Sequence, residues 1–279
     1  MNFMGYRRAS GKVGTRNYVG VISSVVCANE VAEAIARQVR GTACFTHHQG
    51  CSQTPMDTGL VNHSLIGLGC NSNLHSVLLI SLGCENTNLT AVAEGIRASG
   101  KRVECLISQE TGGAARTTMA GVLLAQDMVG EASQQQREPF PISELVMGMK
   151  CGGSDTTSGL VPNPALGVAS DLLVAAGGTS ILGEVTEFIG AEHILARHAV
   201  NGKVAQEILD LVTRMENRAM AVGQDIRGGQ PTGGNIKGGL TTIEEKSLGA
   251  IAKAGTAPIQ AVYEYGTPPT VRGLVVMNS

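Results

Sequence analysis

The chain has no tryptophan, and only four phenylalanines and four tyrosines among its 279 residues. Its core must therefore be aliphatic, and the aromatic platforms on which nucleic-acid bases stack are missing. Charge is also sparse, with 21 basic and 23 acidic residues giving a net charge of −2. No basic stripe stands out, so a nucleic-acid partner is not expected. No apolar run reaches the roughly 20 residues that span a bilayer, and residues 1–12 lack the apolar region of a signal peptide, so no membrane partner is expected either. No CxxC pair occurs, and neither GxxxxGK[ST] nor GxGxxG stands in a strand–turn–helix context. The seven cysteines are odd in number and fit no small secreted framework. A reduced, cytoplasmic protein is the expectation.

Glycine, by contrast, is abundant. Its 37 residues far exceed average usage, with no G-X-Y period. They cluster in doublets between apolar runs, where turns need positive φ or a close approach of backbone to ligand.

The apolar pattern alternates strand-like and helix-like segments. Strands are expected at 18–24, 43–45, 77–82 and 103–107, with helices at 29–39, 89–98 and 117–135. Residues 133–141, polar and carrying two prolines, read as a linker. The rhythm then restarts, with strands at 145–149, 179–182, 259–265 and 271–277. Helices are expected over 164–176 and 241–254, and along the stripe Val204, Ile208, Leu211, Val212, Met215 and Ala219. Residues 223–239 read as a long irregular loop. This predicts an α/β protein of two consecutive doubly wound, Rossmann-like parallel-sheet units, 1–136 and 142–279.

Three cysteines sit in glycine-bearing turns after strand-like runs: Cys51 in THHQGC, Cys84 in SLGCE and Cys151 in KCGGSD. Strand carboxyl ends in α/β sheets converge on a ligand crevice. An isolated cysteine is usually a small buried hydrophobe, but such a residue needs no glycine beside it. Cys51, Cys84 and Cys151 are therefore candidate metal ligands. Three thiolates suit an Fe–S cluster, whereas a mixed set with His47 suits a single Fe²⁺ or Zn²⁺. Cys27 is the most plausible addition. His47 and His48 precede Cys51, and one of the two reads as a solvated loop residue. His193 follows an acidic segment and has a helix-start reading as its alternative. Arg16 is suited to gripping a carboxylate, against the plainer reading of a surface ion pair.

Taken in order, GTRN (14–17), THHQGC (46–51), SLGCE (81–85), QETGG (109–113), KCGGSD (150–155), GAEH (190–193) and GNIKGGLTTIEEKSLG (234–249) resemble the altronate/galactarate dehydratase family. Its relatives include the large subunit of (2R)-sulfolactate sulfo-lyase. The resemblance covers nearly the whole chain. It implies an iron-dependent lyase, with Fe²⁺ or an Fe–S cluster, acting on a sugar acid or similar 2-hydroxy acid. A proton would leave the carbon beside the carboxylate, and hydroxide or sulfite would leave its neighbour.

In that reading, Cys51, Cys84, Cys151 and His47 hold the metal. His47, Lys150, His193 and Glu184 are the catalytic candidates. Arg16, Asn17, Gln109, Glu110, Gly112, Gly113, Ser154, Asp155, Asn235 and Lys237 contact substrate. Glu85, Glu110, Asp155 and Glu184 are candidates for hydroxyl recognition or metal ligation. Family dehydratases often carry a small N-terminal substrate-antifreeze-like domain, here expected as a separate small subunit. Family members also run on past residue 279, so the second unit is expected to be C-terminally incomplete relative to them. A homo-oligomer is expected. FTHHQGC, RGGQPTGG and the missing N-terminal domain lean toward the sulfo-lyase relative; the remaining motifs fit the dehydratases, which are the leading expectation. Two rivals remain: an inactive truncated binding or regulatory subunit, and a nucleotide-binding enzyme on a doubly wound fold.

Overall fold

A computed structural model describes all residues, Met1–Ser279. The chain divides into two compact units, Asn2–Phe140 and Pro141–Ser279, the second including Met1. Each holds a four-stranded sheet whose strands all run parallel.

In the first unit the spatial order is Thr42–Phe45, Tyr18–Ser23, Leu74–Ser81, Val103–Ile107. Period-2 alternation sends Leu78 and Ile80 to one face and Val77 and Leu79 to the other. Helices Asn29–Gln38 and Ala114–Gln134 cover the first face; Pro55–Gly69 and Leu89–Arg97 cover the second. Both faces are thus buried, as an all-parallel sheet requires. The two helices on the first face approach so closely that a Cβ on Gly121 would lie 2.3 Å from Ile35 Cδ1. The chain leaves Tyr18–Ser23 toward neighbours on both sides, so the switch-point crevice opens at that strand's carboxyl end.

The expected linker at 133–141 is ordered instead. Its first residues end the helix Ala114–Gln134, and Glu138–Pro141 forms a strand beside Asn2–Arg7, which also pairs antiparallel with Val13–Gly14. Two prolines are tolerated there because Glu138–Pro141 is an edge strand. Phe140, 3% exposed, packs with Phe3 and lies under Arg7.

In the second unit the order is Ile259–Tyr263, Gly273–Met277, Thr179–Leu182, Val146–Met149. One aliphatic cluster including Leu182, Leu274, Val276, Ile208 and Leu211, together with Phe188, forms its core. The last two strands are parallel neighbours joined by residues 264–272 without a helix. The Tyr263 hydroxyl accepts the N–H groups of Thr270 and Val271, at 3.0 and 3.1 Å, and pins that return loop. The glycine-rich stretch at 223–239 contains a short helix, Gly233–Lys237, opened by a reciprocal capping box between Thr232 and Asn235. No helix is long and apolar enough to cross a membrane.

Candidate functional site

At the carboxyl end of the first sheet, hydrogen bonds stitch three loops together. Val26 N–H donates to Gln49 O at 2.9 Å. Asn86 N–H donates to Gly50 O, and Ser52 N–H donates to Asn86 Oδ1, both at 2.8 Å. Asn86 therefore brackets Cys51 on both sides and sits two residues beyond Cys84. Ser52 itself has φ 54°, a left-handed value uncommon for a non-glycine residue and frequent at functional turns. Glu85 accepts hydrogen bonds from Ser24, Ser81 and Gly83 at 2.6, 2.5 and 2.7 Å. Burial pushes its carboxyl up, but those bonds outweigh it and hold the pKa below the usual range. Glu85 is thus a structural anchor of the loop that carries Cys84.

Cys51 and Cys84 are free, exposed thiols, as is Cys27 on the adjoining loop. Gln109, on the short helix Ser108–Thr111, donates its backbone N–H to Leu82 O at 3.1 Å. A Cβ on Gly83 would meet the Gln109 Oε1 at 2.7 Å. Gln109 therefore stands beside the Cys84 turn. Glu110 is exposed on the same turn, and Gly112 and Gly113 take φ 94° and 98° where the long helix begins. Arg116, missed in the sequence reading, folds its side chain over Gly112: a Cβ there would lie 3.0 Å from Arg116 Cδ and 3.1 Å from Nη1.

Three expectations for this unit are corrected. His47 spends both ring nitrogens within the loop: Nε2 lies 2.9 Å from Ser23 O, and Nδ1 accepts the Gln49 N–H at 3.1 Å. Burial lowers its pKa, which favours the neutral ring. His47 is a brace, without the free lone pair that a base or metal ligand needs. Arg16 and Asn17 directly precede the strand Tyr18–Ser23, at the opposite end of the sheet from the cysteine loops. Six residues of strand separate the two ends by about 20 Å. Asn17 instead accepts from the buried Arg8 at 2.6 Å and donates to Ala132 O at 2.7 Å. Chain direction alone could have revealed this placement.

At the carboxyl end of the second sheet, the centre is Glu184. Its backbone is left-handed, φ 67°, a strained conformation for a non-glycine residue. The Ser279 hydroxyl accepts its N–H at 2.7 Å. A Cβ on the preceding Gly183 would sit 2.8 Å from that hydroxyl. The carboxylate has two distinct sides. Oε1 is 3.0 Å from Lys150 Nζ, and that lysine's side chain is 80% exposed. Oε2 accepts the Cys151 N–H and faces Lys253 Nζ at 3.9 Å. Burial raises the Glu184 pKa, but the Cys151 N–H, Lys150 and the Lys253 charge outweigh it and keep the group ionised. The same ion pair raises Lys150 above the ordinary lysine value. Lys150 is therefore held as a cation, and the expectation that it serves as a base is corrected.

Around this centre, the Cys151 loop is tied to the 234–239 segment. Asn235 Nδ2 donates to Ser154 O at 2.9 Å, and Thr156 N–H donates to Gly238 O at 3.0 Å. Ser154 Oγ lies 3.7 Å from Cys151 Sγ. Asp155 caps the helix Thr156–Leu160, accepting from Ser158 N–H and the Thr157 hydroxyl at 2.7 Å each. Lys237 is exposed on the last turn of Gly233–Lys237. His193 is exposed on Glu192–Arg197 and lines neither of two clefts in the second unit. One cleft, of about 700 Å³, is walled by Met149, Lys150, Glu184, Met215, Met277 and Ser279 among others. A smaller one, about 260 Å³, is bordered by Ser154, Asp155 and Lys246.

Family comparisons agree with the order of these motifs. Residues 5–133 match the profile described as D-galactarate dehydratase/Altronate hydrolase, second domain. Residues 142–279 match D-galactarate/Altronate dehydratase, C-terminal. The chain belongs to the galactarate/altronate dehydratase family. Within that family it is 41% identical to the (2R)-sulfolactate sulfo-lyase subunit beta of Chromohalobacter salexigens, over 99% of this chain and 71% of that protein. It is 37% identical to the altronate dehydratase of Bacillus subtilis, over 99% of this chain and 57% of the relative. Against the galactarate dehydratase (L-threo-forming) of Escherichia coli the identity is 35%, over 98% and 56%. The chain thus spans little more than half the length of those two dehydratases.

Iron is the metal the family resemblance implies. Neither unit brings three His, Cys, Asp or Glu side chains together as a metal-holding group. In the first unit the donors that remain open are thiols, which suit a soft metal. Cys51 and Cys84, free and exposed on their Asn86-bracketed loops, are the side chains that would hold iron here, whereas both ring nitrogens of His47 are engaged within its loop.

Proposed function

We propose that this family member is a lyase that eliminates a β-substituent from a 2-hydroxy acid. The observation carrying the reading is Glu184, an ionised carboxylate shared between an exposed lysine and the Cys151 backbone at a strand carboxyl end. The α-proton beside a carboxylate is very weakly acidic, so its removal needs a positioned base and a cation to stabilise the enediolate. Glu184 is the base in this reading, since it stays unprotonated while Lys150 stays charged. Lys150 and Lys237, both exposed, take the substrate carboxylate in place of Arg16. Glu184 removes the α-proton, the α–β double bond forms, and the β-substituent leaves with the electron pair of its bond. The resulting enol picks up a proton at the β-carbon and becomes a 2-keto acid. Iron, when bound, would supply Lewis-acid stabilisation of developing negative charge.

For the leaving group, the higher identity and longer coverage of the sulfo-lyase relative favour sulfite, which gives pyruvate from (2R)-sulfolactate. Water loss from altronate or galactarate is the second reading, supported by the two dehydratase matches. The name "subunit beta" on the first relative supports a partner subunit. The test is to supply (2R)-sulfolactate, altronate and galactarate separately to anaerobically purified, iron-supplemented protein, with and without that partner. Sulfite and pyruvate from the first substrate alone are expected. A keto acid from altronate or galactarate instead selects the second reading. No keto acid from any of them, with iron and partner present, rejects the lyase.

A further inference from the structure

Lys253 plays no part in any motif singled out above, and it is the most anomalous charged residue of the second unit. It is 2% exposed, on the short turn Ala252–Ala254 that follows the helix Ile243–Ile251. Its ammonium has no hydrogen-bond partner. A buried lysine is ordinarily paired and fully hydrogen-bonded, because its desolvation is costly. Here the one ion pair is with Glu184 Oε2, at 3.9 Å.

That oxygen is also the acceptor of the Cys151 N–H. The opposite oxygen, Oε1, faces Lys150. One carboxylate is therefore divided between a cation that can swing into solvent and a cation that cannot leave. In the lyase reading, on which this inference rests, Lys150 must turn from Glu184 to meet an anionic substrate. At that moment Glu184 loses its closest counter-charge. Without a second cation, the carboxylate would follow Lys150 outward and release the Cys151 loop.

We propose that Lys253 is a positioning residue that acts through Glu184. It is the fixed internal counter-ion that keeps Oε2 turned inward on the Cys151 backbone while Lys150 exchanges between Glu184 and substrate. The unsatisfied hydrogen-bonding of Lys253 is the cost of a cation placed for its field rather than for a contact. The two lysines then divide the work: Lys150 governs capture of the acid, and Lys253 governs the geometry in which Glu184 removes the proton.

The experiment uses the full chain and two independent readouts. The first is iodoacetamide alkylation of Cys151, followed peptide by peptide by mass spectrometry, with Cys27 of the first unit as the internal reference. The second is steady-state kinetics on whichever acid the protein turns over. In K253M, Cys151 alkylation is expected to rise several-fold while Cys27 is unchanged, and kcat is expected to fall about tenfold or more with little change in KM. K150M is expected to show the reverse split, with KM raised more than kcat is lowered. K253R, which keeps the charge, is expected to restore slow Cys151 alkylation. A folded K253M with wild-type Cys151 alkylation overturns the proposal. If K253M does not fold, K253R alone decides: wild-type protection of Cys151 supports it, and several-fold faster alkylation overturns it. The alkylation readout needs no turnover, so a failed lyase assay leaves this test standing.

Discussion

The side-chain oxygen of Asn86 accepts the Ser52 N–H at 2.8 Å, while the Asn86 N–H donates to Gly50 O at the same distance. One residue thereby fixes the turn that presents Cys51 against the turn that presents Cys84. In Asn86→Ala the backbone bond survives and the side-chain bond is lost. A stability loss of about 1 kcal/mol is expected, readable as a shift in urea midpoint. Alkylation of Cys51 and Cys84 should accelerate together. Acceleration at only one of them would show that the two loops are independently ordered.

Because those thiols are open soft donors on loops that Asn86 ties together, iron content should depend on both. Cys51→Ala and Cys84→Ala, purified anaerobically, are each expected to lose most bound iron relative to the parent. His47→Gln is expected to keep its iron, since the imidazole lone pair is already used by Gln49. Iron that survives in Cys84→Ala at the parent's stoichiometry rejects the ligand assignment.

Glu184→Gln preserves shape and can still accept the Cys151 N–H, but it cannot take a proton. Loss of a positioned base typically costs about 10²–10⁴ in rate. A kcat reduction of that order is expected on folded protein, measured by keto-acid formation, together with a lower thermal midpoint because the buried Lys253 loses its one counter-charge. Near-parent turnover would move the base elsewhere.

Lys101 provides a pH test away from any site. Burial, with the Arg8 charge adding to it, lowers its ammonium to about 8, while Gly69 O and Asn71 O accept its protons. The unfolded chain keeps an ordinary lysine value of about 10.4. Between those two values the unfolded state binds more protons than the folded one, so stability should rise with pH across that window. Below it, both states are protonated and the contribution is flat. Thermal midpoints of the parent minus those of K101M should show this rise. A flat difference over the window means that Lys101 keeps its proton when folded.

Much of the architecture was legible because strands and helices leave different periods in the apolar pattern. The runs at 77–82 and 103–107 became Leu74–Ser81 and Val103–Ile107, and the stripe from Val204 to Ala219 became the helix Gly202–Met220. The helix Pro55–Gly69 went unread because its apolar residues are spread around the axis, with Met56 and Leu60 exposed. Its start was nonetheless written in Thr54, which caps Asp57 N–H, and in Pro55 at the first turn. The helix expected from residue 241 is instead capped by Thr242, whose side chain accepts the Glu245 N–H, while the Thr241 hydroxyl donates to the Glu245 carboxylate.

What the order of residues settled unaided was the family, the parallel α/β character of each unit, and the placement of Cys51, Cys84 and Cys151 in turns after strands. These are local properties, carried by residue period and by short motifs read in order. Which side chains serve chemistry was decided only by folding. Glu85 was drawn into a hydrogen bond from Ser24, Asn17 into bonds with Arg8 and Ala132, and Lys253, in no motif, was buried against Glu184. Such roles depend on contacts between residues distant in the chain and on desolvation, and neither leaves a trace in local pattern.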